Sequence, residues 1–352
     1  MHFAQMNNSF FRGAIAYSLQ PDEFDSRAPS SEHRIFIGSV YVCLSALFLP
    51  VYLAIITIFL THRKFKGLSC YWIMSAMGIC DCIIVVGQIG IGSRVISKAY
   101  LEIHRQDIID SFWVPDIRLR MWSEKAFLGL LNAATVSAAL MHPILALNRL
   151  LIITEIIKMP SYVYFILLGM GASYIPFYVL MSIFEDCGFI FHDFALVPSF
   201  LPTELNSNVF PKVEGTLCIF AYATSIVMYL IIVVFLITTR LRIARVKTIK
   251  LTSYERTILI QSFVTFVCGG ALTLFSQFSS QSNHSYKFLA FHNVLEILFY
   301  GALSPVIYLT SNSQLREVFK SPRKMIVKKS AFFVKITPTP ACRNTKKIAT
   351  NM

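Results

Sequence analysis

Seven stretches of this chain, at roughly 36–60, 69–93, 126–151, 162–184, 216–239, 257–279 and 288–310, each stay predominantly apolar for more than twenty residues. Such runs match the number of helical residues needed to cross about 30 Å of hydrocarbon. In lipid every backbone N–H and C=O must be bonded within the protein, which leaves helices or closed barrels. Barrel strands alternate apolar and polar residues, and these runs do not. The sequence therefore predicts an all-α, integral membrane bundle of seven transmembrane helices. Composition agrees, because only 14% of residues are charged against about 25% in an ordinary soluble domain. The chain divides into a polar N-terminal segment (1–35), the helical bundle (36–310) and a cytoplasmic segment (311–352). Residues 1–34 contain no early apolar core, so the first span is expected to direct insertion itself, without a cleaved signal peptide.

A formal charge of +13 could point to nucleic acid, and the placement of the basic residues decides against it. Of 32 Lys and Arg, 21 fall on the side that holds the turns after spans one, three and five and the C-terminal tail. Positive charge gathers on the cytosolic face of membrane proteins, so the N-terminus is predicted outside and the tail in the cytosol. The acceptor patterns at Asn7 and Asn283 both fall on the outer side, as glycosylation requires. The basic patch of Arg240, Arg242, Arg245, Lys247 and Lys250 can attract anionic lipid at about 1 kcal/mol per residue, or meet a protein partner, or both.

No HExxH, GxxxxGK or GxSxG pattern occurs, so neither metalloprotease, phosphate-loop nor hydrolase chemistry is indicated, and no enzyme is expected. Most of the eight cysteines lie within apolar runs and act there as small apolar residues. Cys80 and Cys82 point to different faces of one helix, so neither a metal nor a cofactor is expected. Gly87, Gly90 and Gly92 read as close helix packing. No internal repeat supports a transporter built from two related halves. Pro50, Pro143, Pro176 and Pro305 fall inside spans and are expected to kink them.

Several polar residues stand out against this background. Asp81 sits mid-membrane, where a charge costs roughly 2.5–3.5 kcal/mol, so it should face polar partners inside the bundle, either as a structural lock or as part of a switch. Arg149 ends the third span, about 35 Å along from Ala126, at the inner mouth; position alone allows a snorkelling anchor equally well. Glu296, with His292 one turn before it, is either a counter-charge for a ligand or a partner for another polar side chain. After the seventh span, Leu315, Val318 and Phe319 recur at helical spacing and predict a short amphipathic helix on the inner leaflet, stopped by Pro322.

Taken in order, Gly67-Leu68-Ser69-Cys70-Tyr71-Trp72-Ile73-Met74 running to Asp81, Leu147-Asn148-Arg149, Glu255 to Gln261, and Ser304-Pro305-Val306-Ile307-Tyr308-Leu309 with Asn312 and Arg316 resemble the nematode serpentine chemoreceptors. The Srt and Srx groups are the most similar, over roughly residues 36–320. The resemblance implies a G-protein-coupled receptor at the plasma membrane, and by the same likeness sensory cilia. Asn148 and Arg149 look like the Asp-Arg pair that meets the G protein in rhodopsin-like receptors. Ser304, Pro305 and Tyr308 are similar to the Asn-Pro-x-x-Tyr switch of the seventh helix, and Asp81 to the acid that faces it.

The departures carry their own expectations. With Asn at 148, no intrahelical ion pair can hold Arg149, and Ser304 in place of asparagine weakens the case for a bound sodium ion. The sixth span has no proline, so a hinge there would fall on Gly269-Gly270. Residues 94–125 read as a long charged loop without cysteine, which leaves Cys187 no evident outer partner for the disulfide the likeness implies. The expected activity is binding of a small molecule in an outer-half cavity and activation of a heterotrimeric G protein through the cytosolic ends of helices 3, 5, 6 and 7. A peptide receptor of the same architecture and a seven-helix ligand-gated channel are the alternatives.

Overall fold

The computed structural model describes residues 29–65, 68–103, 117–154, 159–183, 189–192, 197–200, 210–243, 263–264, 266–275 and 286–320. Its helices are α1 (Ser31–Thr61), α2 (Ser69–Ile103), α3 (Ile117–Thr154), α4 (Ser161–Ile183), α5 (Phe210–Ile243) and α6 (Phe266–Phe275). The last span, α7, begins as Tyr286–Glu296, widens into a π-helical Ile297–Leu303 and closes as Ser304–Ser311. A short α8 (Ser313–Lys320) follows. Six of these helices are long and apolar enough to cross a membrane, and α6 is a shorter apolar helix at the sixth expected span. The chain is a multi-span membrane protein.

Local chemistry sets the ends. Ser30 caps α1 by accepting from the His33 N–H at 3.4 Å, and the helix stops where His62 turns extended. Asn312, also extended, caps α8 by accepting from the Leu315 N–H at 3.0 Å, relieving a donor that a helix start leaves unpaired. In α8 Leu315 is buried and Val318 packs on the core, while Phe319 is exposed, so the amphipathic face expected from the sequence is present.

Pro50, Pro143 and Pro176 lie inside continuous helices. Pro305 differs, for a π-helical turn precedes it. Lacking an N–H, Pro305 cannot bond the carbonyl of Gly301, and a freed carbonyl loosens the backbone into the wider i→i+5 winding.

α1 lies along α2, α2 along α3, and α3 contacts both α4 and α5, while the π segment packs on α1 and α2. The α1–α2 contact is closest at a glycine pair: a Cβ on either Gly38 or Gly92 would stand 2.7 Å from the other's carbonyl oxygen. Gly87 and Gly90 face Leu131 and Phe127 of α3, so all three glycines of that stretch serve close packing. Large apolar side chains such as Phe36, Met170 and Phe220 face outward, as they should where the surrounding solvent is lipid.

Two expectations need correction. Residues 94–125 are not one loop: α2 continues to Ile103 and α3 begins at Ile117, leaving residues 104–116 outside the described residues. At 35 residues α2 is about 52 Å long, some 20 Å more than the hydrocarbon needs. Its charged extension is tied to neighbours, Arg94 to Glu124 of α3 at 2.5 Å and Glu102 to Arg34 of α1 by both carboxylate oxygens. Second, α5 starts six residues before the expected 216, which brings Glu214 into the helix. Between α4 and α5 two short strands, β1 (Phe189–His192) and β2 (Val197–Phe200), pair antiparallel, Phe189 opposite Phe200.

Candidate functional site

Among the described residues the apolar bundle contains four separate clusters of buried polar side chains, and their residues come from different helices. At the inner end, the Asn148 amide donates to the Ser69 hydroxyl at 2.8 Å. Arg149 is 6% exposed. One of its guanidinium nitrogens donates to the Cys70 thiol and stands 4.0 Å from the Met74 thioether. Thiols and thioethers are weak acceptors. Among the described residues no partner meets Arg149 Nε or Asn148 Oδ1. Arg149 is therefore not snorkelling to water, and among the described residues no acid holds it: it lies folded against α2. Nearby, Asn312 donates to Tyr71 Oη at 3.2 Å, and Phe59, Phe65, Tyr71 and Tyr308 form an edge-on aromatic cluster.

One level up, Tyr52 of α1 donates to Asp81 at 2.5 Å. Ser304 and Tyr308 lie within electrostatic reach of this pair. The structure thus gathers Asp81, Ser304 and Tyr308 around Tyr52, a residue the sequence did not single out. Pro305 follows directly, so the π segment feeds straight into this cluster.

In the outer half, Gln88 of α2 donates to Glu296 of α7 at 2.9 Å, and His292 Nδ1 stands 4.0 Å from the same carboxylate. The His292 ring stacks on Phe275 of α6, with centroids 5.6 Å apart. Asn293 donates to Tyr41 Oη at 3.2 Å, and Tyr41 to the Ala290 carbonyl, which fixes α7 against α1 beside the acid.

The fourth cluster was missed. Glu214 of α5, 6% exposed, accepts from Asn132 of α3 at 2.7 Å and lies 3.5 Å from Tyr174 Oη of α4. Asn132 also reaches Tyr178 Oη at 3.1 Å. The signal was an acid two residues before an apolar run, which a window centred on hydrophobicity assigns to the loop. His142 of α3, packed on Tyr222 and Phe266, was also passed over.

The remaining expectations cannot be placed in the same way. Arg242 lies within α5, but its side chain, together with Arg245, Asn7, Asn283 and Cys187, lies outside the described residues. Gly269 of α6 is pressed against Phe299 and Tyr222, a packing role. No disulfide and no metal-binding group of side chains occurs among the described residues.

The bundle shares its fold with squid rhodopsin, at a TM-score of 0.64 over 92% of this chain and 91% of that one, with 12% sequence identity. No family model and no curated protein matches the sequence.

Proposed function

We propose that this chain is a chemosensory G-protein-coupled receptor of the plasma membrane, similar to the nematode serpentine receptors. A small molecule bound in the outer half, with His292 and Glu296 among its contacts, shifts an equilibrium between two bundle packings. The Asp81, Ser304, Pro305 and Tyr308 cluster carries the change inward. The inner mouth then opens, and Asn148, Arg149, Arg242 and Arg245 meet a heterotrimeric G protein.

The observation that supports this most is the state of Arg149. Among the described residues the buried Arg149 guanidinium meets sulfur and its Nε meets nothing, and an unmet buried donor costs roughly 1–3 kcal/mol. That cost disfavours the closed packing and falls away once Arg149 reaches a carbonyl or carboxylate of a partner. The rhodopsin-like fold and the weight of basic residues on the cytosolic side fit the same reading.

The test is nucleotide exchange on a G protein, driven by an active odorant, at verified equal surface expression. Arg149→Ala should abolish the ligand-driven component while leaving ligand binding in place. Unchanged exchange would remove this mechanism.

A further inference from the structure

The cluster of Gln88, His292 and Glu296 is unusual in what it leaves open. Gln88 is 1% exposed and His292 7%, and each ends in a buried polar atom, Gln88 Oε1 and His292 Nε2, that has no partner among the described residues. Buried polar atoms are nearly always paired, so two orphans around one acid require an explanation.

The chemistry of the open atoms follows from the bonds already made. A carboxylate only accepts, so the Gln88 amide nitrogen must face Glu296 and its oxygen is left outward as an acceptor. If the histidine proton sits on Nδ1, toward the carboxylate 4.0 Å away, Nε2 is left as an acceptor too. Glu296 has lone pairs beyond the one taken by Gln88. Gln88 Oε1 and the spare lone pairs of Glu296 thus sit on bonded neighbours beside one negative charge, with no Lys or Arg among the described residues paired to it, and His292 Nε2 is open on the other side of its ring. The Phe275 ring stands against His292, and aromatic faces attract cations.

We propose that this cluster is the recognition site for a small organic amine, its ammonium N–H groups donating to Gln88 Oε1 and Glu296, and its hydrocarbon part lying toward His292 and the aromatic side chains. This rests on the reading of the chain as a receptor and names the chemical class of its ligand. An alcohol of the same shape carries one donor and no charge, so it satisfies one acceptor and leaves the carboxylate without a counter-charge. Discrimination between the two should be steep, because a site built for donors rejects an analogue that lacks them.

The experiment compares benzylamine with benzyl alcohol, and isoamylamine with isoamyl alcohol, as ligands of the purified full-length chain in lipid nanodiscs, reading thermal stabilisation. Nucleotide exchange is measured in parallel. The amines should stabilise the protein at concentrations at least about tenfold below their alcohols. Glu296→Gln should weaken the amines about thirtyfold or more, the usual effect of removing one partner of a buried charge pair, and should leave the alcohols unchanged. Gln88→Glu, which adds a second carboxylate, should strengthen the amines and serves if Glu296→Gln fails to fold. Equal stabilisation by amine and alcohol, no stabilisation by either amine, or stabilisation by a divalent metal ion in their place would overturn the assignment. Amine binding without nucleotide exchange would sink the receptor reading and leave this site standing. Exchange driven by neutral odorants with no amine binding would do the reverse.

Discussion

Replacing Gly92 by alanine tests how closely the first two helices must approach. The added methyl carbon would lie 2.7 Å from the Gly38 carbonyl oxygen and 3.0 Å from Tyr41 Cβ and Val42 Cγ2. A carbon and an oxygen settle at about 3.3 Å or more, so α1 and α2 must separate by about 0.6 Å. The carbonyl belongs to a helix backbone and cannot swing aside. Forcing a methyl into such a contact costs about 2 kcal/mol, which in a chain of this length corresponds to a fall in melting temperature of roughly 3 °C. Gly38→Ala meets the Gly92 carbonyl at the same 2.7 Å and should cost as much. Because one separation relieves both clashes, the double variant should cost about 1 kcal/mol less than the sum of the two. Gly169→Ala provides the control, since nothing lies within 4 Å of its Cβ position, and gains helix propensity. Thermal unfolding of the four variants in one detergent decides the matter. A Gly92→Ala protein melting within about one degree of the parent, or fully additive single shifts, would refute the reasoning.

Other substitutions probe the polar clusters. Tyr52→Phe removes the donor to Asp81 and should destabilise the chain by about 1–2 kcal/mol; repeating it on an Asp81→Asn background should show much of that loss already gone, and a full loss on both backgrounds would mean the pair is not coupled. Cys70→Asp gives Arg149 a carboxylate in place of sulfur, and a charge-assisted bond of about 1.5–3 kcal/mol should hold the inner mouth shut and lower basal nucleotide exchange about tenfold or more in membranes. Asn132→Ala leaves Glu214 without its 2.7 Å donor and should cost about 1–3 kcal/mol, read as a drop in melting temperature that Asn132→Gln only partly restores.

How much the sequence discloses depends on whether a feature is written in one segment or in the meeting of several. The spans and the surface helix are local. An apolar run of the required length announces itself, and so does the spacing of Leu315 and Val318. Asp81, a lone acid in a greasy run, was conspicuous for the same reason. Its partner Tyr52 was not, because a tyrosine in an aromatic-rich helix looks like any other core residue until α1 and α2 are packed together. The charged ends of α2 and α3 were read as loop because hydropathy falls there. Yet Arg94 with Glu124 and Glu102 with Arg34 are cross-helix pairs, and no single segment reveals that its charges are matched. Glu214 escaped by the same logic, since its neutral surroundings come from Asn132 of α3 and Tyr174 of α4. The π turn needed Pro305 and the backbone before it to be considered together, whereas the sequence reading treated the proline as an ordinary kink.

That wide turn between Ile297 and Leu303 stores a surplus of chain. A stretch wound at more residues per revolution than its neighbours can tighten by passing one residue along, and each residue so passed turns everything beyond it by about 100° and slides it about 1.5 Å along the axis. Tyr308 would sweep from one side of its helix toward the next. The winding of one rod thus sets which way its far end faces.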